Sequence, residues 1–474
     1  MAQVCLLIVS AILLDQQSCW RMSGAMSLSG QSGETLIPPP DPAEARRFRR
    51  EFYIMSIAFG LNHAAVTTPI IYSSSVLTSD IGNAGNAVLY GTTLICSLFL
   101  ANLGYAVCGP KRGLVISMLC YTIYVALFAF SASQCDVHDG SNGCKEAGPL
   151  QAPLVCLGAV IGGLGAGLLW TCQGAFYAMV CEKLAVAESR PKEEVTGELG
   201  GMFGLFFLGF ECAVRACTTL LKDPNFADLS YMATFLVWTA SAFLATVCFA
   251  MFATNLQPST PVQKGSVCSK LLTALRLWSD PKLWLLQSTN ITFGFAAAWL
   301  AGYVSPKILK PALSSSFIGF AGAILSGLAA ILSRAFAPVV RRVGKGPVLA
   351  LGALAFLCLG VFSKWIGTPS EWGWGALLFY VFMGIGRAVY ESTNKAIIAD
   401  FFPKEKSPGA FANVFVFTTA ASTSAFILGA LGTTTPELYL LLAFAGLTLP
   451  SFIIAAVLKA FGERSTADAS ANAS

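Results

Sequence analysis

The sequence predicts an all-α membrane protein with twelve transmembrane helices in two six-helix halves. Three observations carry this reading. Apolar runs of about twenty residues recur along the chain with few charges inside them. Lysine and arginine collect in alternate short connections. The longest polar connection falls midway and divides the runs six and six.

The apolar runs come first because they set the solvent. Of 474 residues, 55% are hydrophobic and 12% charged, against about 25% charged in soluble domains. Mean hydropathy is +0.66. Twenty apolar residues rising 1.5 Å each cross a hydrocarbon layer of about 30 Å. The runs are placed at residues 52–74, 84–107, 113–132, 153–181, 200–221, 229–254, 283–304, 315–335, 346–366, 372–398, 410–431 and 438–461. The 44 glycines suit close helix contact in lipid.

The remaining segments follow from these. Residues 1–51 read as a cytoplasmic tail, mostly disordered and rich in Ser, Gly and Pro over 27–42. An apolar run at 5–14 is too short to span. It has no basic flank or clear cleavage site, so a signal peptide is not favoured. Residues 52–254 form the first half and 283–461 the second. The connection 255–282, opening Gln257-Pro258-Ser259-Thr260-Pro261, is a cytoplasmic linker. Residues 462–474 are a C-terminal tail.

Orientation follows from the excess of Lys and Arg in short cytoplasmic loops. With the N-terminus inside, the inner face collects Arg46, Arg47, Arg49, Arg50, Lys111, Arg112, Lys183, Arg190, Lys192, Arg341, Arg342 and Lys345, among others. The outer face collects Lys145, Lys222, Lys307, Lys310 and Lys364. Both termini are therefore placed in the cytosol. The halves also echo each other. Gly109-Pro110-Lys111-Arg112-Gly113 follows span two, and Arg341-Arg342-Val343-Gly344-Lys345-Gly346 follows span eight. Equivalent turns in equivalent places indicate a parallel repeat.

Charges inside a bilayer cost at least about 2.5–3.5 kcal/mol at a helix centre, so they face a cavity, a partner or the bundle interior. Glu211 and Arg215 stand four apart in span five, and Arg387 and Glu391 four apart in span ten. Each pair can neutralise itself along one helical face, and each can instead serve a central site. Glu211 and Arg215 are taken as a structural charge pair. Lys395, near the inner end of span ten, is read as snorkelling. Asn62 and His63 lie near the middle of span one. A histidine there can relay protons or simply pack. Trp170 and Gln173 share a face of span four, as Gln287 and Asn290 do on span seven.

A resemblance enters at these residues. The span count, the split and the two basic turns are similar to the major facilitator superfamily. Both turns are degenerate forms of its loop signature, and neither carries the signature's acidic residue. Span four, Gly163-Leu164-Gly165-Ala166-Gly167-Leu168-Leu169-Trp170-Thr171-Cys172-Gln173-Gly174, resembles a motif of the uncoordinated-ninety-three family of ion-channel-regulator-like proteins. Weaker echoes are Gly384 and Gly386 with Glu391-Ser392-Thr393-Asn394, and Gly409-Ala410-Phe411-Ala412-Asn413. The resemblance implies a facilitator fold whose spans one, four, seven and ten line a central cavity. It also implies a link to channel regulation or to the trafficking of other membrane proteins.

On that basis the candidate solute-binding set is Asn62, His63, Trp170, Gln173, Asn290, Arg387 and Glu391. Arg387 would meet an anionic group, Glu391 and His63 would carry or sense a proton, and the amides would hydrogen-bond the solute. Cys135 and Cys144 lie in the polar outer loop 134–151 and are expected to form a disulfide, since that side permits one. No Walker loop, HExxH or GxSxG with partners is present, so no enzyme chemistry, cofactor or metal site is expected. The basic turns are too short and dispersed for nucleic acid. The expected partners are the lipid bilayer, a small polar or ionic solute with protons as a candidate coupling ion, and, in the alternative reading, another membrane protein that the chain regulates or escorts.

Overall fold

The computed structural model describes residues 40–138, 143–256, 275–365, 367–402 and 406–471. The apolar run at 5–14 and most of the expected linker, 257–274, lie outside the described residues. Every element below belongs to the unit Asp41–Ser474.

Helix α1 spans Pro42–Val76. The Asp41 carboxylate caps it by accepting from the backbone N–H groups of Ala43 at 2.9 Å and Glu44 at 3.2 Å, and Pro42 occupies the first helical position, where it has no N–H to lose. Helix α2, Ser79–Ile95, runs through a π-helical stretch, Cys96–Leu100, into α3, Ala101–Ala132. A two-stranded antiparallel hairpin follows, β1 (Cys135–His138) and β2 (Cys144–Ala147). A Cys135–Cys144 disulfide joins the strands, with Cα atoms 5.6 Å apart. Then come α4 (Gln151–Glu188), α5 (Lys192–Lys222) and α6 (Tyr231–Phe252).

Beyond the linker lie α7 (Pro281–Trp299), which continues as a π-helix over Leu300–Leu309, then α8 (Ile318–Val343) and α9 (Lys345–Lys364). Helix α10 (Leu378–Val389) passes through a π-helix at Tyr390–Asn394 into α11 (Lys395–Phe401). Helices α12 (Ser407–Ala430) and α13 (Thr434–Ala471) close the chain.

Ten helices among the described residues are long and apolar enough to cross a membrane. The expected crossings at 84–107 and 283–304 are helical too, but each is interrupted by a π-helical stretch. In the second, Pro306 lacks the N–H that an α-helical ladder needs. Large apolar side chains remain exposed on the outer surface, among them Ile331, Leu244 and Phe461, as a hydrocarbon surround requires. This is an integral, multi-pass membrane protein.

The first and last helices run past their hydropathy boundaries. Residues 42–51, expected in a disordered tail, are the first turns of α1, and residues 462–471 continue α13. Hydropathy marks only the stretch in hydrocarbon, whereas backbone hydrogen bonding carries a helix on into the interface.

The two basic turns are sharp joints. Gly109 takes φ +71° and ψ 175°, and Gly344 takes φ +83° and ψ 175°. That left-handed φ is cheap only for glycine. The two joints thus share one backbone conformation as well as one composition.

Packing relies on small residues. A Cβ at Gly163 would lie 2.6 Å from Thr92 Cβ on α2, and one at Gly165 would lie 2.7 Å from Cys120 Cβ on α3. The glycine run of α4 therefore seats two neighbours at once. Buried aromatics with polar tips find partners: Trp238 Nε1 donates to Thr218 Oγ1 at 3.0 Å and Trp299 Nε1 to Ser363 Oγ at 3.0 Å. Between the helices before and after the linker, α5 packs on α8 and α2 on α12.

Candidate functional site

The centre of the site is an ion cluster that crosses from α5 to α8 and α10. Glu211 and Arg215 share a face of α5, and Arg215 Nη1 lies 2.6 Å from Glu211 Oε1. Arg387 on α10 approaches the same carboxylate with both terminal nitrogens, Nη1 to Oε1 and Nη2 to Oε2, each at 2.7 Å. This is the bidentate fork that guanidinium geometry favours. From α8, Ser326 Oγ accepts from Arg215 at 2.7 Å and donates to Glu211 Oε1 at 3.1 Å. Glu211 is 1% exposed and Arg387 11%. One buried carboxylate therefore serves two buried guanidiniums, and Arg215 Nε and Arg387 Nε are left without partners.

Pairing of Arg387 with Glu391 is not formed. Glu391 binds Lys395 at 2.5 Å instead. The helix changes from α to π between Val389 and Tyr390, so the register after Arg387 is no longer that of an i,i+4 face. Lys395, 44% exposed, extends to the edge of the site.

An aromatic wall stands beside the cluster. Phe207, one turn before Glu211, lies with its ring centroid 5.9 Å from the Arg387 guanidinium carbon. His63 packs against Phe207 at 4.8 Å, Trp170 at 5.4 Å and Phe59 at 5.6 Å between centroids. His63 is buried, and its Nδ1 has no hydrogen-bond partner. Gly204 and Gly174 border open space, since a Cβ added to either would touch nothing within 4 Å.

The other candidates are placed differently. Asn62 is fully buried and directs its amide away from the cluster, donating to Met118 O at 3.1 Å, Ala242 O at 3.2 Å and Thr246 Oγ1 at 3.3 Å. It ties α1 to α3 and α6. Asn290 forms a polar ladder in the C-terminal helices. It donates to Gln287 Oε1 at 2.8 Å and accepts from Asn394 Nδ2 at 2.8 Å. Gln173 is buried on α4. The structure thus brings His63, Trp170, Glu211, Arg215 and Arg387 together, while Asn62, Asn290 and the Glu391–Lys395 pair have other partners. Ser326 and Asn394 were not singled out from the sequence. A serine in an apolar run is common in membrane helices, so Ser326 carried no signal. Asn394 stood inside a quoted motif without a role.

One end of the bundle is closed by contacts between the helices before and after the linker. Gly319 N donates to Tyr72 Oη at 2.7 Å and Lys310 Nζ to Ser75 O at 3.0 Å. Asn83 is seated between two glycines: a Cβ on Gly302 would lie 2.5 Å from its Oδ1, and one on Gly429 3.0 Å from its Nδ2. At the other end Arg190, between α4 and α5, contacts Glu194, Glu188 and Glu198, and Arg49 contacts Glu188 and Glu198. Hydrogen bonding to Glu194, then to Glu198 and Glu188, holds the Arg190 guanidinium above its ordinary range. Among the described residues no group of three or more His, Cys, Asp or Glu is arranged to hold a metal ion.

No family model matches the chain. Among curated proteins it is 26% identical to unc-93 homolog A of Bos taurus over 427 residues, covering 81% of this chain and 87% of that protein. It is 23% identical to the Homo sapiens protein of the same name, covering 86% and 93%. Among solved structures, the inward-open xylose transporter of E. coli aligns with TM-score 0.59 at 14% identity, covering 86% of this chain and 95% of that one. The nucleoside transporter NupG aligns with TM-score 0.56 at 15% identity, covering 87% and 99%. The chain is therefore similar in sequence to unc-93 homolog A proteins and shares its fold with these solute transporters.

Proposed function

We propose that this protein is a secondary transporter or transporter-like protein, with twelve crossings in two six-helix halves, that moves a small polar or ionic solute by alternating access. The observation that carries this is the Glu211–Arg387 pair, which joins α5 to α10 across the boundary between the halves, deep in the bundle. A buried carboxylate shared by two guanidiniums is a costly feature for a passive scaffold. It suits a site where a solute's anionic group competes with Glu211 for Arg387. The displaced carboxylate and His63 then offer two groups that a proton can reach. Trp170, Phe59 and Phe207 form an apolar wall for the rest of the solute. Gln173 lines the same helix face, and Asn62 and Asn290 brace the helices on either side. Glu391, with Lys395, stands at the rim.

Uptake into reconstituted vesicles, screened over small polar and anionic solutes with and without a pH gradient, tests this reading. The expected outcome is uptake that disappears when Arg387→Gln and Glu391→Met are combined. Undiminished uptake by that variant would sink the proposed site.

A regulatory or trafficking scaffold is the second reading, and the first basic turn favours it. Facilitator turns usually carry an acidic partner for the inner latch, and residues 109–113 contain none. The second turn gives less support, because Asp400 on α11 supplies Lys345 with a carboxylate. Copurification of a specific membrane protein from native membranes, together with a failed uptake screen, would favour the scaffold.

A further inference from the structure

A groove remote from the ion cluster lies between the joint in α3 and the end of α6. It is lined by Lys111, Arg112, Val115, Ile116, Ala250 and Asn255 and has a volume of about 470 Å³. Its two cations follow directly on Gly109. Its walls are apolar, and Ile116 is 45% exposed. Next to it, Val107, Met251 and Phe252 are more exposed still, so the groove opens where the bundle meets lipid.

The two cations have no ion-pair or hydrogen-bond partner among the described residues. The second joint makes this informative. Gly344 has the same backbone conformation as Gly109, yet the cation that follows it is satisfied: Lys345 pairs with Asp400 and donates to Ala396 O at 3.1 Å. The fold therefore supplies the cation that directly follows one glycine with a carboxylate and gives the cations after the other none among the described residues. Nor does the connection after Asn255 supply an acid, since residues 257–274 contain no Asp or Glu.

We propose that this groove binds an anionic phospholipid, with its phosphate between Lys111 and Arg112 and an acyl chain along Val115, Ile116 and Ala250. The charges favour an anion over a zwitterion. The apolar wall and the position at the membrane edge favour a lipid over a soluble phosphate. The bound headgroup would do for the first joint what Asp400 does for the second, steadying the hinge between α2 and the rest of α3. This goes beyond the transport reading and does not depend on it.

The full chain, purified in micelles of neutral detergent with phosphatidylcholine, is titrated with phosphatidylserine, and bound lipid is counted by native mass spectrometry. Saturable binding of phosphatidylserine is expected. Each cation near an anionic headgroup contributes about five-fold, so Lys111→Gln with Arg112→Gln should weaken binding about thirty-fold. Lys111→Arg, which keeps the charge, should bind as the parent does and guards against misfolding as the explanation. Arg341→Gln with Arg342→Gln at the second joint should change little. Glycerol 3-phosphate, the headgroup without chains, should not compete. Equal binding of phosphatidylcholine, unchanged affinity in the double variant, or effective competition by glycerol 3-phosphate would each overturn the proposal.

Discussion

Replacing Glu211 by Gln removes one charge and strands two. In the parent, Arg215 and Arg387 both lie within 2.7 Å of the Glu211 carboxylate, with exposures of 6% and 11%. Glutamine keeps the shape and one acceptor but leaves the two guanidiniums without a counter-ion, in a place where water cannot replace it. Breaking a buried ion pair from one side costs about 3–5 kcal/mol. With an unfolding entropy near 2.1 cal/mol/K per residue, a chain of this size loses about 1 °C per kcal/mol, so its Tm should fall by about 3–5 °C. The assay is thermal unfolding in detergent, followed by the loss of the monodisperse peak. Two companions make the test specific. Glu391→Gln disrupts a pair whose lysine is 44% exposed, so it should cost less than about 1 kcal/mol. Glu211→Leu combined with Arg215→Leu and Arg387→Met removes the whole cluster and should recover most of the lost stability, since apolar replacement of a buried ion cluster is often neutral or stabilising. The reasoning is refuted if Glu211→Gln melts with the parent, or if Glu391→Gln is the more damaging change.

Three further outcomes are expected. Gly319→Ala should destabilise by about 1–3 kcal/mol, because the new Cβ would meet Arg215 O at 2.4 Å, Thr219 Oγ1 at 2.7 Å and Tyr72 Oη at 2.8 Å; a variant with unchanged melting would mean that α5 and α8 part freely there. Peptide mapping without reduction should recover Cys135 linked to Cys144, and Cys135→Ser with Cys144→Ser should lower stability by about 2–3 kcal/mol through the short loop that the bond closes; finding both thiols free in fresh protein would refute the pairing. A tag on either terminus should be shielded from antibody in intact cells and accessible after permeabilisation, and labelling of intact cells would reverse the orientation.

How much could be read beforehand depended on how local the cause was. Burial in lipid acts on every residue of a span at once, so hydropathy marked the crossings, although π-helical stretches interrupt three of them. Glycine at the basic turns was legible because the chain reverses there and few residues tolerate a positive φ. The pairing of Arg387 was not legible. Its neighbour at i+4 was Glu391, and nothing in the string shows that the helix changes register at Tyr390 or that Arg387 meets Glu211 on α5. Asn62 looked like a polar group awaiting a solute, but three acceptors on α3 and α6, 56 to 184 residues away along the chain, already hold its amide.

The sequence by itself determined that this chain lives in a membrane as a helical bundle, and that it carries costly charges at mid-depth, because those follow from composition and spacing along single helices. Only the tertiary structure decided which charges meet, which acceptors hold the buried amides and which cations lack a partner among the described residues. Those outcomes depend on the rotation of each helix and on which neighbours stand beside it, and both are set by the close packing of small residues between helices far apart in the chain.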